Sequence, residues 1–251
     1  MKKRLILGDM HGLIDIYKKI YKLEKPDDVI CLGDYVDSFD VKVEHQEYNM
    51  KELIHMKDKH KNGEFIVLLG NHDFQYLYGY PQYERYSGFS WTTFHWAHEY
   101  FNQLVKEGKI QIVYVDKKNK IVFSHAGISN TWFNDWEFKS LEDINSLFTE
   151  EKGGNLEPLK FSYGEHYNPY GDTVWNGCTW IREKSLMSDM YVDKDGYTWK
   201  QIVGHTPGYE VRILNDGKLV IADAIGKKKS QYIIQTLSDE GIIINTDIKT
   251  I

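Results

Sequence analysis

The chain has 251 residues, enough for one large α/β domain with a sizeable core, so a single domain over 1–251 is expected. Its 41% apolar residues include no run near the roughly 20 residues that cross a bilayer, and its start, MKKRLILGDMHG, lacks a signal peptide's apolar stretch, which together predict a soluble cytoplasmic protein. A net charge of −6 excludes bulk nucleic-acid capture, and two widely separated cysteines exclude a disulfide scaffold.

Arg4 to Leu7 is a short apolar run that stops at Gly8-Asp9, and the apolar residues from Leu13 to Leu23 recur at helical spacing, which reads as strand, loop, helix. The pattern repeats. A strand over Asp28–Leu32 stops at Gly33-Asp34, a helix runs from about Glu44 to His60, and a strand over Phe65–Leu69 stops at Gly70-Asn71. Cys31 follows Val29 and Ile30 and is expected to be a buried strand thiol. From Tyr76 to Phe101 the chain is crowded with aromatics and interrupted by Gly79, Pro81 and Gly88. This predicts an irregular insertion at about 76–106 that caps the site and leads into a helix over Trp91–Lys106. Its rings are read as packing a small subdomain in preference to forming a base-stacking platform.

Ile110–Val115 and Lys120–Ser124 predict a hairpin turning at Asp116–Asn119, with His125-Ala126-Gly127 at its exit. The stretch from about 150 to 172, with Gly153-Gly154, Pro158 and Pro169, reads as a long loop. Strands return at Gln201–Val203, ending at Gly204-His205, then at Val211–Leu214 and Leu219–Ile221 about a turn at Asp216-Gly217, and at Tyr232–Thr236 and Ile242–Ile244.

In an α/β sheet the loops after the carboxyl ends of the strands converge on a ligand crevice, so the polar residues at these exits should meet. They are Asp9, His11, Asp34, Asn71, His72, His125 and His205, a mixed oxygen and nitrogen set that suits Mn, Fe, Zn, Co or Ni better than a structural zinc cluster. Asp9 and His11, two apart on an extended exit, can face one ion, and a carboxylate such as Asp34 can bridge two. A lone Gly-Asp is ordinarily a turn. The signal is the order of the whole series: GDMHG at Gly8–Gly12, GDYVD at Gly33–Asp37, GNHD at Gly70–Asp73, HAG at His125–Gly127 and GHTP at Gly204–Pro207.

This series resembles the signature of the calcineurin-like metallophosphatases. Within them it is similar to the phosphoprotein phosphatase branch, which includes small bacterial and bacteriophage serine/threonine phosphatases and diadenosine tetraphosphate hydrolases. Pro207 in GHTP, WIRE at Trp180–Glu183 and Ile221-Ala222-Asp223 add to the likeness. The resemblance implies a four-layer α/β/β/α sandwich, where periodicity alone supports a mixed α/β domain. It also implies two divalent ions, manganese foremost, one on Asp9, His11 and Asp34 and the other on Asp34, Asn71, His125 and His205. His72 would then be the general acid, oriented by Asp37, with Arg182 and Asn71 contacting the phosphate. In the family the GDYVD-type segment continues with Arg-Gly, whereas Ser38 and Phe39 stand here, so Arg182 is the matched guanidinium and Arg85 a candidate substitute. Arg4 precedes its strand and should lie at the opposite end. His45, His55, His60, His95, His98 and His166 match no motif and are assigned to solvent or packing. The implied activity is phosphate-ester hydrolysis, on phosphoserine or phosphothreonine in proteins first and on diadenosine polyphosphates second, with an idle binding module as a distant third. The implied partner is a phosphorylated protein or a small phosphate ester, with no membrane.

Overall fold

The computed structural model describes residues 1–38, 40–77, 88–149, 155–163, 172–226 and 229–251. One five-stranded sheet is built from β1 (Lys2–Leu7), β2 (Asp28–Cys31), β3 (Phe65–Val67), β9 (Gln231–Leu237) and β10 (Ile243–Thr250), in the order β10-β9-β1-β2-β3. The other holds β4 (Val113–Asp116), β5 (Ile121–Ser124), β6 (Lys200–Val203), β7 (Arg212–Leu214) and β8 (Leu219–Ile221), in the order β4-β5-β6-β8-β7. Strands β1, β2 and β3 run parallel, as do β5, β6 and β8, so their carboxyl ends point the same way within each sheet. The helices are α1 (Ile14–Glu24), α2 (Val43–Lys59), α3 (Asn71–Leu77), α4 (Trp91–Lys106), α5 (Asn130–Asp135) and α6 (Glu183–Ser188).

Side chains alternate across each strand, and the alternation sorts the core into layers. Ile6, Ile30, Ile66 and Ile233 of the first sheet join Ile121, Phe123, Ile202 and Val220 of the second in one buried cluster, so the sheets pack face to face. The alternate residues Leu5, Leu7, Val29, Cys31 and Val67 turn the other way, onto Tyr17 and Ile20 of α1, Met50 and Leu53 of α2, and Phe101 and Leu104 of α4. On the far side of the second sheet Val203, Leu219 and Ile221 pack on Leu186 of α6. The result is the helix, sheet, sheet, helix order that the sequence resemblance implies. Both cysteines are buried and unbridged, and no described helix is long and apolar enough to cross a membrane.

Four elements and one loop differ from the sequence reading. Strand β10 runs to Thr250, well past the expected Ile244, because its far end pairs with β9 through the backbone while carrying exposed polar residues that break any apolar pattern. Helix α3 begins at Asn71, where the sequence showed only a strand exit, and α5 and α6 are too short to develop a period. Of the loop expected at about 150–172, residues 155–163 hold one 3₁₀ turn at Glu157–Leu159, and 150–154 and 164–171 lie outside the described residues. Phe39, Arg85 and His166 also lie outside them, as does 78–87 of the aromatic insertion. The described part of that insertion packs its rings, with Phe89, Phe94, Trp96 and Tyr100 set against the helix-side core.

Candidate metal centre

Each parallel strand of the first sheet, and β5 and β6 of the second, delivers polar side chains to one place. β1 leads to Asp9 and His11, β2 to Asp34 and Asp37, β3 to Asn71 and His72, β5 to His125 and β6 to His205. Four of these residues sit in the left-handed region: His11 (φ 41°), Asp34 (φ 53°), Asp37 (φ 59°) and His205 (φ 62°). That conformation costs a non-glycine residue about 1–2 kcal/mol, so the fold spends stability to aim these groups. The exits also interlock. A Cβ on Gly70 would fall on Oδ1 of Asp34, and one on Gly204 would fall on Oδ1 of Asp9, so each glycine clears space for a carboxylate from another loop.

The ligand-type atoms of Asp9, His11 and Asp34 lie within 4.8 Å of one another, and so do those of Asp34, His125 and His205, which leaves Asp34 common to both groups. Oδ1 of Asn71 is 2.8 Å from Nε2 of His125 and 2.9 Å from Nδ1 of His205. The three histidines share a tautomer logic. His11 directs Nδ1 at the Val36 carbonyl (3.1 Å), His125 directs Nδ1 at the Leu32 carbonyl (2.9 Å), and His205 directs Nε2 at the Trp180 carbonyl (3.0 Å). A carbonyl only accepts, so each outer nitrogen carries a proton, and in the neutral ring the inner nitrogen is left with a lone pair. Those lone pairs face more acceptors. Nε2 of His125 is 3.3 Å, and Nε2 of His11 3.8 Å, from Oδ2 of Asp34.

A buried cage that gathers carboxylates, an amide oxygen and neutral imidazoles is a donor set suited to cations. Its electrostatics agree: burial, then the Asp223 carboxylate, pushes Asp9 well above the usual carboxylate range. Burial works against a charge on His125, yet Asp34 and Asp9 overcome it and push this group up to about 9. The residues therefore fit divalent metal, with Asp9, His11 and Asp34 able to hold one ion and Asp34, Asn71, His125 and His205 another.

Beside the cage, Nδ1 of His72 lies 3.1 Å from Oδ2 of Asp37, and the backbone N–H of His72 donates to Oδ1 of Asp34 at 2.9 Å. The Asp37 side chain is fully buried while that of His72 keeps 15% exposure, so the ring has a wet edge and an anchored one. Arg182 caps the start of α6, is half-buried, and donates from Nη1 to the His205 carbonyl at 3.1 Å. Asp34, Asp9 and Asp223 all lie within its electrostatic reach. Arg4 is at the opposite end, ion-paired with Asp116 at 2.8 Å, and Arg212 is engaged by Glu183 and the Thr206 carbonyl. Arg182 is thus the one guanidinium at the cage among the described residues. Oγ of Ser38 accepts from the N–H groups of Asp40 and Val41, so it closes a turn. Of the histidines outside the motifs, His60 bonds Tyr21 and the Asp27 carbonyl and His98 bonds the Tyr76 carbonyl.

Two carboxylates were not assigned from the sequence. Asp73, fully buried, accepts the N–H groups of Asp34 (2.9 Å), Tyr35 (2.8 Å) and Gly70 (3.0 Å), tying the β2 and β3 exits together. Asp223 is buried within electrostatic reach of Asp9. Both stand inside quoted motifs, GNHD and Ile221-Ala222-Asp223, but only the packing shows what they touch.

The family model for calcineurin-like phosphoesterase matches residues 2–225. The chain is similar to Shewanella-like protein phosphatase 1 of Plasmodium berghei (strain Anka), 26% identical over 231 residues, which covers 83% of this chain and 63% of that protein, less than two thirds of its length. Among solved structures it resembles the cold-active protein-tyrosine phosphatase of a psychrophilic Shewanella species, with a TM-score of 0.62 at 17% identity over 100% of this chain and 80% of that one. A protein serine/threonine phosphatase from Saccharomyces cerevisiae gives a TM-score of 0.53 at 14% identity over 99% and 79%. These structures share the fold.

Proposed function

The chain belongs to the calcineurin-like phosphoesterase family, and we propose that it is a metal-dependent phosphatase acting on phosphorylated protein side chains, phosphoserine and phosphothreonine first. The observation that carries this is Asp34, the one residue common to both ligand groups, which is what a two-ion centre requires. When bound, two divalent ions, manganese foremost among those the donor set suits, would supply a nucleophilic oxygen near neutral pH and positive charge opposite the phosphoryl oxygens. The chain's own groups do the rest. His72 holds its Nδ1 proton on Asp37 and offers Nε2 to the leaving oxygen, to which it gives up a proton as the ester bond breaks. Arg182 and the Asn71 amide orient the phosphate, the arginine through its planar fork.

Arg182→Ala is expected to lower kcat/KM by about 30- to 1,000-fold, the roughly 2–4 kcal/mol lost with an oxyanion donor, since no described arginine stands in for it. Steady-state kinetics on one phosphopeptide measures this, and a loss below about 3-fold would remove Arg182 from the phosphate contact.

A second reading is favoured by one observation. Trp180, whose carbonyl anchors His205, starts a run of edge-on rings: Trp180 is 6.0 Å from His205 and 5.2 Å from Phe161, and Phe161 is 4.9 Å from the 39% exposed Tyr163. Such a wall suits an aromatic leaving group, and the Shewanella neighbour is named a protein-tyrosine phosphatase. The test is a panel of phosphoserine, phosphothreonine and phosphotyrosine peptides and diadenosine tetraphosphate with manganese-loaded protein. Phosphopeptide turnover that is lost on chelation supports the proposal. Full activity after chelation, or a marked preference for the dinucleotide, overturns it.

A further inference from the structure

Asp37 has more donors than the histidine it orients. Its Oδ2 accepts from Nε2 of Gln75 as well as from His72, and its Oδ1 accepts from the hydroxyl of Tyr76. Tyr76 is itself held on every side. Its hydroxyl accepts the N–H of Ser90 at 3.0 Å, its ring stacks on Phe89 at 5.4 Å and 16°, and its carbonyl meets Nδ1 of His98 at 2.8 Å. Ser90 in turn caps α4 through the N–H of Thr93. Gly88, at φ 84°, lies so close that an added Cβ would come within 2.9 Å of Cβ of Asp37 and 3.5 Å of Cε1 of His72. The 88–90 turn therefore roofs the His72–Asp37 pair, and Tyr76 connects roof to carboxylate.

We propose that Tyr76 and Gln75 are positioning residues for proton delivery by His72, and that through Tyr76 the start of α4 is coupled to the acid. The argument rests on the reading of His72 as that acid. A carboxylate turns easily about its last torsion, and Asp37 stands on a left-handed exit with no regular structure of its own. Three donors on its two oxygens fix the plane of the group, and with it the line along which Oδ2 receives Nδ1 of His72. Without the Tyr76 hydroxyl, Oδ1 is left buried without that donor, the carboxylate rotates to recover one, and the imidazole loses the alignment of Nε2 on the leaving oxygen. Attack at phosphorus is untouched. The defect should therefore depend on how much the leaving group needs a proton.

The experiment compares phenyl phosphate with p-nitrophenyl phosphate, whose leaving group departs with little help, for Tyr76→Phe, Gln75→Leu and His72→Asn in manganese-loaded protein. Tyr76→Phe is expected to lose about 10- to 30-fold in kcat on the first ester and less than about 3-fold on the second, at nearly constant KM, with Gln75→Leu following the same pattern. In protein loaded with diamagnetic zinc in place of manganese, the downfield imidazole N–H resonance that His72→Asn abolishes should broaden in both. If Tyr76→Phe does not fold, Gln75→Leu carries the comparison. Equal losses on the two esters, or none, while His72→Asn stays selective, overturn the positioning role and leave the acid assignment standing. If His72→Asn is itself unselective, the acid assignment falls and this proposal falls with it.

Discussion

Asp34→Asn is expected to lower turnover by about 10³-fold or more and to reduce bound metal from about two ions per chain to one at most. The substitution is close to isosteric. Oδ1 remains an acceptor for the His72 N–H that it meets at 2.9 Å, and the backbone N–H still reaches Asp73, so the exits of β2 and β3 keep their shape. What changes is Oδ2, the atom 3.3 Å from Nε2 of His125 and 3.8 Å from Nε2 of His11. An amide nitrogen there is a donor that cannot ligate, and the negative charge that balances a second cation is gone. The metal-free protein should feel the change as well. Burial opposes the charge on Asp34, yet His125, His72 and His11 hold its carboxylate well below the usual range, so the variant loses an attraction that outweighs the repulsion from Asp9. Near neutral pH metal-free Asp34→Asn should melt below the metal-free parent, and the rise in Tm on adding manganese should shrink. Elemental analysis and paired thermal scans decide it. Full metal content with turnover within a few-fold of the parent would remove Asp34 from the centre of the mechanism.

That the candidate ligand residues would meet was legible because their placement rule is local: an apolar strand, a glycine, then a side chain that points into the crevice. The interlock of Gly70 with Asp34 and of Gly204 with Asp9 supplies a physical reason for that glycine, since each exit must make way for a carboxylate from elsewhere. The support of the proposed acid was not legible. Asn71 opens α3, a helix of seven residues, and its turns carry Gln75 and Tyr76 three and four places beyond His72, onto the same side. Two turns are too few to show a period, and the aromatic run that follows masks them, so the stretch reads as irregular chain. Asp73 escaped for a related reason, because its partners are backbone N–H groups of two loops that no side-chain pattern marks. The place of the missing arginine behaves differently again. The sequence shows Ser38 after Asp37, but only the structure shows its hydroxyl committed to the turn at Asp40 and Val41, with Arg182 the guanidinium beside the cage among the described residues.

His72→Asn should cost about 10²–10⁴-fold in kcat on a phosphoserine peptide and far less on p-nitrophenyl phosphate. The size follows from the chemistry of the leaving oxygen. An alkoxide is too basic to depart unprotonated, whereas a nitrophenolate carries its own charge, so only the first reaction depends on a proton in the transition state. In the proposed mechanism that proton comes from His72, and the geometry is compatible with it: one ring nitrogen is 3.1 Å from the fully buried Asp37 carboxylate, and the ring keeps an exposed edge beside His11, whose centroid is 5.2 Å away. No metal role competes for His72, because the two ligand groups form without it. Asparagine preserves a polar side chain at the start of α3 but offers no group that can donate and regain a proton near neutral pH. Asp37→Asn should give the same order of substrates with smaller losses, since it keeps the imidazole and removes only the acceptor that orients it. If His72→Asn slowed both substrates equally, the ring would serve the fold of the cage or the binding of phosphate, and the proton would have to reach the leaving oxygen from solvent.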